Sequence, residues 1–534
     1  MKYFKELIKG YNNFNSEIIT KECLNTKIKN ISYNSKLVKK DYLFVAIKGI
    51  KDDGHKYIEN AIENKAKIII YDYSADKKTK KKIIELKNKY DKVFFVSAKN
   101  TREILAYMSA KLFNEPTKKI NTIAITGTNG KTTTTYLLKS VLEKDKNNKY
   151  KDNNKNNNKD NNKNKIALIG TIKNMIGKSE IKTNLTTPES IDLENIFGKS
   201  IKKNVSHIVM EASSQALAME RCDYLNFDTA IFTNITEDHL DYHKSMKNYL
   251  KAKLKLFDLL KESSKKKKLA IVNIDSDYFN KISNHIKNLN IKMITYGLNE
   301  KADYYAKISS LNSNLNSNYS KFTEYDFYAK GKFISKVKLS MLGEFNILNS
   351  LSVLAYVCEY KLDIKKAIKS ISKVQVPGRF EIVTNEKHNF IVAVDYSHTP
   401  DSLKNILIEA KKLNPNRVIV VFGCGGDRDR KKRPIMAKIT AKYSDISILT
   451  TDNQRTESIE QIMSDIEAGF FGLNFNYKKI IDRREAIKEA IREAKENDIV
   501  IIAGKGHETY QIFPNKTIDF DDREVARECL KEIF

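Results

Sequence analysis

Cysteine is scarce and unpaired in this 534-residue chain. Cys23, Cys222, Cys358, Cys424 and Cys529 are odd in number and far apart, with no Cys-x-x-Cys pair. That pattern excludes a disulfide framework and a cysteine zinc site, and reads as reduced thiols in a cytosolic protein. Long apolar runs are lacking too. None approaches the roughly 18 residues of a membrane helix, and the opening Met-Lys-Tyr-Phe-Lys-Glu-Leu-Ile-Lys-Gly has no signal-like apolar stretch, so a soluble cytoplasmic protein without a membrane partner is expected. Acidic residues are the minority, 66 against 95 lysines and arginines, giving a net charge of +29. Such an excess ordinarily raises nucleic acid as a partner. Here lysine and asparagine are spread almost evenly, so a composition bias accounts for the charge and no nucleic-acid partner is expected.

What is present begins with length. At roughly 150 residues per domain the chain needs three or four cores, and 41 % hydrophobic residues suffice to build them. Its centre is Ile120 to Thr135, where an apolar β-prone run ends at Thr126, a glycine-bearing loop follows, and Lys131-Thr132 opens an amphipathic helix. The glycines let backbone N–H groups close around a polyphosphate, the helix N-terminus adds its positive end, Lys131 reaches the β- and γ-phosphates, and the Thr132 hydroxyl can hold Mg²⁺. The cofactors expected are therefore ATP and Mg²⁺. Ile125 stands where the usual phosphate loop has its first glycine.

Ahead of this stretch, Leu43–Ile47, Ile68–Tyr71 and Val93–Ser97 predict strands, and Tyr57–Glu63 and Lys80–Leu86 predict helices, a small α/β unit. Residues 144–165 are almost all lysine, asparagine and aspartate and predict a disordered loop. Ser309 to Lys321 reads as a second polar insert. Strands follow at Ile166–Gly170, Ser206–Met210 and Thr229–Asn234. Glu211, at the carboxyl end of one of them, is a candidate Mg²⁺ ligand. Asp238, His239, Asp241 and His243 cluster after the next, as metal ligands, substrate contacts or a capped helix start. Spacing does not separate Lys251, Lys253 and Lys255.

From Phe390 onward, apolar strands (Phe390–Val394, Val418–Phe422, Ile446–Leu449, Ile499–Ile502) alternate with helices, predicting a doubly wound parallel sheet. Ligands of such sheets sit beyond the strands' carboxyl ends, where the chain places its most polar loops: Asp395 to His398, Gly423 to Arg433, Asp452 to Arg455 and Gly504 to Glu508. Arg428 and Arg455 suit forked pairing with a carboxylate or phosphate.

Taken in order, Thr-Gly-Thr-Asn-Gly-Lys-Thr-Thr, Met-Glu-Ala-Ser-Ser, Thr-Asn-Ile-Thr-Glu-Asp-His-Leu-Asp-Tyr-His, Gly-Glu-Phe-Asn-Ile-Leu-Asn, Pro-Gly-Arg-Phe-Glu, Asp-Tyr-Ser-His-Thr-Pro-Asp, Gly-Cys-Gly-Gly-Asp-Arg-Asp, Asp-Asn-Gln-Arg and Ala-Gly-Lys-Gly-His-Glu resemble the Mur ligase family. The resemblance implies three α/β domains, 1–118 for a uridine nucleotide, 119–377 for ATP, and a Rossmann-like 378–534 for an amino acid. It implies a monomer that adds a diamino acid to UDP-N-acetylmuramoyl-L-alanyl-D-glutamate through an acyl phosphate, in peptidoglycan precursor synthesis.

Carried residue by residue, it implies ATP contacts at Gly127, Thr128, Asn129, Gly130, Lys131, Thr132, Thr133, Asn346, Asn349, Arg379 and Asp395. Thr132, Glu211, His239 and a carbamylated Lys253 would serve the metal, and Lys131, Glu211, His239 and Lys253 the catalysis. Ser35, with the 50–52 lip, matches the uridine site. Thr186, Thr187, Ser213 and Arg221 match the muramoyl-dipeptide site, and Arg428, Asp452, Asn453, Gln454, Arg455, Gly504 and Glu508 the amino-acid pocket.

Four positions depart from the family pattern. Gln454 replaces the proline of Asp-Asn-Pro-Arg found in enzymes taking meso-diaminopimelate, Met219 replaces a glutamine, and Asn34-Ser35-Lys36 replaces Asp-Ser-Arg. Arg455 survives, which favours a diamino acid with a distal carboxylate over lysine or ornithine. The rivals are a folate-polyglutamate-type ligase, against which the N-terminal unit and the Asp-Asn-Gln-Arg loop argue, a nucleic-acid-dependent ATPase, and a non-catalytic scaffold, which the presence of Lys131 and Lys253 disfavours.

Overall fold

A computed structural model of the chain describes residues 1–14, 19–49, 52–145, 165–183, 185–311, 322–385 and 387–534. Three sheets carry it. The first is parallel, in the order Asn30–Ser32, Tyr42–Val45, Ala66–Asp72, Phe94–Ala98. Its Ile68-Ile69-Ile70 run is buried on both faces, against the helices Lys77–Lys89 and Thr101–Leu112 among others, so the strands read as continuous apolar stretches.

The central sheet has eleven strands. Its parallel heart runs Ile166–Ile169, His207–Glu211, Asn121–Thr126, Thr229–Phe232, Leu269–Asn273, Lys292–Gly297. The strand feeding the phosphate loop therefore lies between the strand ending in Glu211 and the strand leading to Asn234. Two apolar cores cover the sheet, one per face.

The edge beyond Lys292–Gly297 differs from expectation. Tyr304–Leu311, Thr323–Ala329 and Lys332–Leu339 form an antiparallel extension. Thr323, Tyr325 and Phe327 alternate inward at period two, and the Tyr325 hydroxyl meets Ser350 Oγ at 2.6 Å on the long helix Glu344–Glu359. The second polar insert expected from Ser309 accordingly starts later, because the strand runs to Leu311; residues 312–321 lie outside the described residues. So do 146–164 of the first insert and Ile50 and Lys51 of the expected uridine lip.

The third sheet has the order Glu381–Ile382, Ile391–Asp395, Ile499–Ala503, Val418–Phe422, Ile446–Leu449, Tyr477–Lys479, parallel except for the first strand. All four expected strands are in it, within a residue of their predicted ends. Among the described residues no helix is long and apolar enough to cross a membrane.

Candidate functional site

The phosphate loop is held by side chains from three neighbouring segments. Asn234 receives the Thr128 N–H on its carbonyl and the Asn129 N–H on its side chain, both at 2.9 Å, while Thr128 Oγ1 meets the buried Tyr249 hydroxyl at 3.1 Å. Two glycines are required by geometry. Gly127 (φ +148°) would place a Cβ 1.9 Å from Thr233 Oγ1, and Gly130 (φ +85°) 2.3 Å from Asn349 Oδ1. Asn349 in turn donates to Asn346 at 3.2 Å. Both asparagines lie on the helix Glu344–Glu359, which brings them to the loop. Lys131 curls back and donates to the carbonyls of Gly127 and Thr128 at 2.9 and 2.8 Å. Burial lowers its pKa, opposed by the nearby charges of Glu211 and Asp238. Thr133 is buried beside it in the first helical turn.

Glu211 points into the same corner. Its Oε1 accepts from Thr132 Oγ1 at 2.9 Å and Thr171 N at 2.8 Å, and its Oε2 from Thr171 Oγ1 at 3.0 Å. Among the described residues no three His, Cys, Asp or Glu side chains converge as a metal cage. A carboxylate and a hydroxyl at a phosphate loop fit Mg²⁺ all the same, since that ion takes few protein oxygens and completes its shell with phosphates and water.

His239 caps a short helix in a left-handed conformation (φ 53°), half-exposed, its ring 3.4 Å from Asp238. His243 turns elsewhere, to Ser214 Oγ at 2.9 Å, and belongs to the packing. The three lysines are now distinct. Lys251 is exposed and Lys255 pairs with Asp223 at 2.9 Å, but Lys253 is buried, 4.4 Å above the Tyr249 ring, with no ion pair among the described residues. Burial first, then Lys131, drives its pKa well below the usual lysine value. A signal for it exists in the sequence: Tyr249, Lys253, Leu256 and Leu260 share one helical face, so the lysine stands in an apolar stripe.

Thr187 donates to the Glu211 carbonyl at 2.8 Å, Thr186 meets Thr171 at 3.2 Å, and Ser213 donates its N–H to Thr187 Oγ1 at 3.2 Å, so these residues do converge beside Glu211. Arg221 donates to the Thr187 carbonyl at 3.1 Å. Ser35 sits apart, buried in the N-terminal domain, its carbonyl taken by Asn64 at 3.0 Å.

The C-terminal domain folds onto the loop. Arg379 donates to Thr132 Oγ1 at 3.4 Å while its guanidinium lies 4.7 Å from the Tyr396 ring, and Asn129 donates to Asp401 at 3.1 Å. Asp395 is turned inward, accepting from Phe380 N at 2.7 Å, and burial raises its pKa. At the carboxyl edge, Asn453 donates to Glu508 at 2.9 Å and receives Ile512 N at 2.9 Å. Burial pushes Asp452 up, but Lys505 and Arg483 outweigh it and hold the carboxyl below its ordinary value. Gly504 (φ +117°) passes so close that a Cβ would lie 2.8 Å from Asp452 Oδ2. Gln454 is spent on the Glu457 carbonyl at 2.9 Å. Arg455, also left-handed (φ 58°), spans the loop by donating to the Gly426 carbonyl at 2.8 Å. Its pKa is lowered by burial and then by Arg428, which is exposed and, among the described residues, bonded only to its neighbour's carbonyl at 3.3 Å. Neither guanidinium is in an ion pair among the described residues, and forked donors of this kind suit a carboxylate.

Sequence reasoning missed Thr171, Asp401 and Glu189. Each lies in a loop or first helical turn whose neighbours only the fold supplies.

A phosphate-loop domain flanked by a small nucleotide-type sheet and a doubly wound domain with paired arginines defines a three-domain nucleotide-dependent ligase. Residues 27–112 match the catalytic domain of the Mur ligase family, 125–357 the Mur ligase middle domain, and 378–506 the Mur ligase glutamate ligase domain. The chain is 41 % identical over 513 residues, 96 % of each chain, to a UDP-N-acetylmuramoyl-L-alanyl-D-glutamate--2,6-diaminopimelate ligase of Clostridioides difficile (strain 630). It is 38 % identical to the protein of that name from Caldanaerobacter subterraneus subsp. tengcongensis, over 95 % of this chain and 96 % of that one. A solved structure of a ligase of that name superposes with a TM-score of 0.63 at 27 % identity, covering 99 % of both chains. The chain belongs to the Mur ligase family.

Proposed function

We propose that this ligase joins meso-diaminopimelate to UDP-N-acetylmuramoyl-L-alanyl-D-glutamate with ATP, as the names of its relatives say of them. The observation that carries the reading is the meeting of the phosphate loop with the C-terminal domain through Arg379 and Thr132.

A carboxylate is a poor electrophile until one oxygen becomes a phosphate leaving group. Lys131, released from its own loop carbonyls, pairs with the β- and γ-phosphates, while Thr132 and Glu211, with His239, would hold Mg²⁺, which would supply charge neutralisation. Arg221 and the Thr186–Thr187 turn orient the glutamyl carboxylate, whose oxygen takes the γ-phosphoryl group as ADP leaves. Arg428 and Arg455 grip the distal carboxylate of the incoming amino acid. Its free amine attacks the acyl carbon, loses a proton, and expels phosphate. Asn346, Asn349 and Asp395 line the nucleotide, Ser35 serves the uridine end, and Asp452, Asn453, Gly504 and Glu508 shape the amino-acid loop. Lys253, carbamylated by carbon dioxide with loss of a proton, would add a carboxylate for the metal. The domain ends we assign are 118 and 377.

The test offers meso-diaminopimelate, lysine and ornithine together and identifies the tripeptide by mass. A predominantly lysine or ornithine product overturns the substrate; no phosphate release with any amine overturns the reaction.

A further inference from the structure

Glu189 is the N-cap of the helix Ser190–Lys202, and nothing in the proposed chemistry uses it. Its carboxylate is buried and joins two arginines from different domains. Arg221 Nε lies 2.9 Å from Oε1, and Arg102 Nη1, from the N-terminal domain, 3.3 Å from Oε2. Side-chain exposures of 8, 11 and 16 % for Glu189, Arg221 and Arg102 keep water from screening the trio.

Each arginine is directed by the pairing. Arg102 spends Nε and Nη2 on the Lys48 carbonyl, at 3.2 and 2.9 Å, in the N-terminal domain. Arg221 is ion-paired with Glu189 through Nε without a hydrogen bond between them, and its Nη1 donates to the Thr187 carbonyl at 3.1 Å. Among the described residues its Nη2 meets only the Met219 sulfur, at 3.3 Å. A thioether is a weak acceptor, so the Nη2 edge of the guanidinium has capacity left for an anion. Two cations on one carboxylate also leave a net positive charge for it to receive.

We infer that Glu189 is a positioning residue: it aims the Nη2 edge of Arg221 at the muramoyl-dipeptide and, through Arg102, ties that aim to Lys48 of the N-terminal domain. The inference rests on the reading of Arg221 as a dipeptide contact.

The full chain is compared with Glu189→Gln, Arg102→Lys and Arg221→Ala, measuring kcat, the KM of each substrate, and calorimetric binding of the UDP-muramoyl dipeptide alone. Glu189→Gln should weaken dipeptide binding roughly ten-fold or more, with the KM of ATP and of the amino acid moving less than about two-fold. Arg102→Lys should move the same constant in the same direction by less, and it carries the test if the glutamine variant does not fold. If Arg221→Ala weakens the dipeptide but the other two variants do not, or if all three constants and the melting temperature shift together, Glu189 is not a positioning residue. If Arg221→Ala itself leaves dipeptide binding unchanged, the reading of the dipeptide site fails instead.

Discussion

The amide of Asn129, in the phosphate loop, donates to the carboxylate of Asp401, in the first turn of a C-terminal-domain helix, at 3.1 Å. The same oxygen takes the Thr236 hydroxyl at 2.6 Å. One side chain thereby fastens the two domains at the mouth of the ATP site.

Replacing Asp401 with alanine removes both bonds and leaves the two donors to water. Charge-assisted bonds of this kind support an expected fall of about ten-fold in kcat, together with a larger radius of gyration in small-angle scattering of the free enzyme. An unchanged radius and rate would mean that the domains are held by other contacts.

Gly127→Ala puts a methyl group 1.9 Å from Thr233 Oγ1 at a backbone angle that alanine avoids. Strain and overpacking of this size cost about 1–3 kcal/mol each. The loop should therefore reshape, lowering both ATP affinity and melting temperature. Retained nucleotide binding in a direct titration would contradict the tight loop described above.

Arg455→Ala should weaken diaminopimelate roughly 10- to 100-fold, the scale of a lost charge-assisted pair, and change lysine far less, because lysine has no distal carboxylate. Equal losses for the two amines would place the distal carboxylate elsewhere. The carbonyl of Gly426 loses its donor in either case, so thermal melts separate a loosened loop from a lost contact.

Glu194 governs a pH effect away from the chemistry. It is 1 % exposed, and neither carboxyl oxygen has a hydrogen-bond partner among the described residues. Burial, then Glu115, raises its pKa from 4.5 to about 8. Between those values the folded chain holds a proton that the unfolded chain has lost, so stability falls as pH rises through the window, by on the order of 3 kcal/mol at pH 7. Glu194→Gln should abolish that dependence. The gain in melting temperature over the parent should be small at pH 5 and large at pH 8; a constant gain would show that the carboxyl does not titrate there.

Much of the scaffold was legible because buried parallel strands are written as unbroken apolar runs. Val418–Phe422 and Ile446–Leu449 have the ends expected of them, and the loop from Gly127 to Lys131 is recognisable from residue types alone. The antiparallel extension was not, since Thr323–Ala329 shows its period-two pattern inside a lysine-rich, tyrosine-rich background. Among the site residues, Lys253 could be separated from Lys251 and Lys255 only once its helix was seated against Tyr249.

Local chemistry, the order of motifs and the class of fold are properties of the chain read residue by residue, because glycine angles, strand patterns and helix starts involve near neighbours. Pairings between distant residues are decided elsewhere. That Glu211 meets Thr171 and Thr132, that Glu189 bridges Arg102 and Arg221, and that Asp401 reaches Asn129 depends on which strands lie side by side and how three cores pack. Those contacts span tens to hundreds of residues, and a charged side chain becomes a buried partner rather than a solvated one only when the tertiary fold excludes water around it.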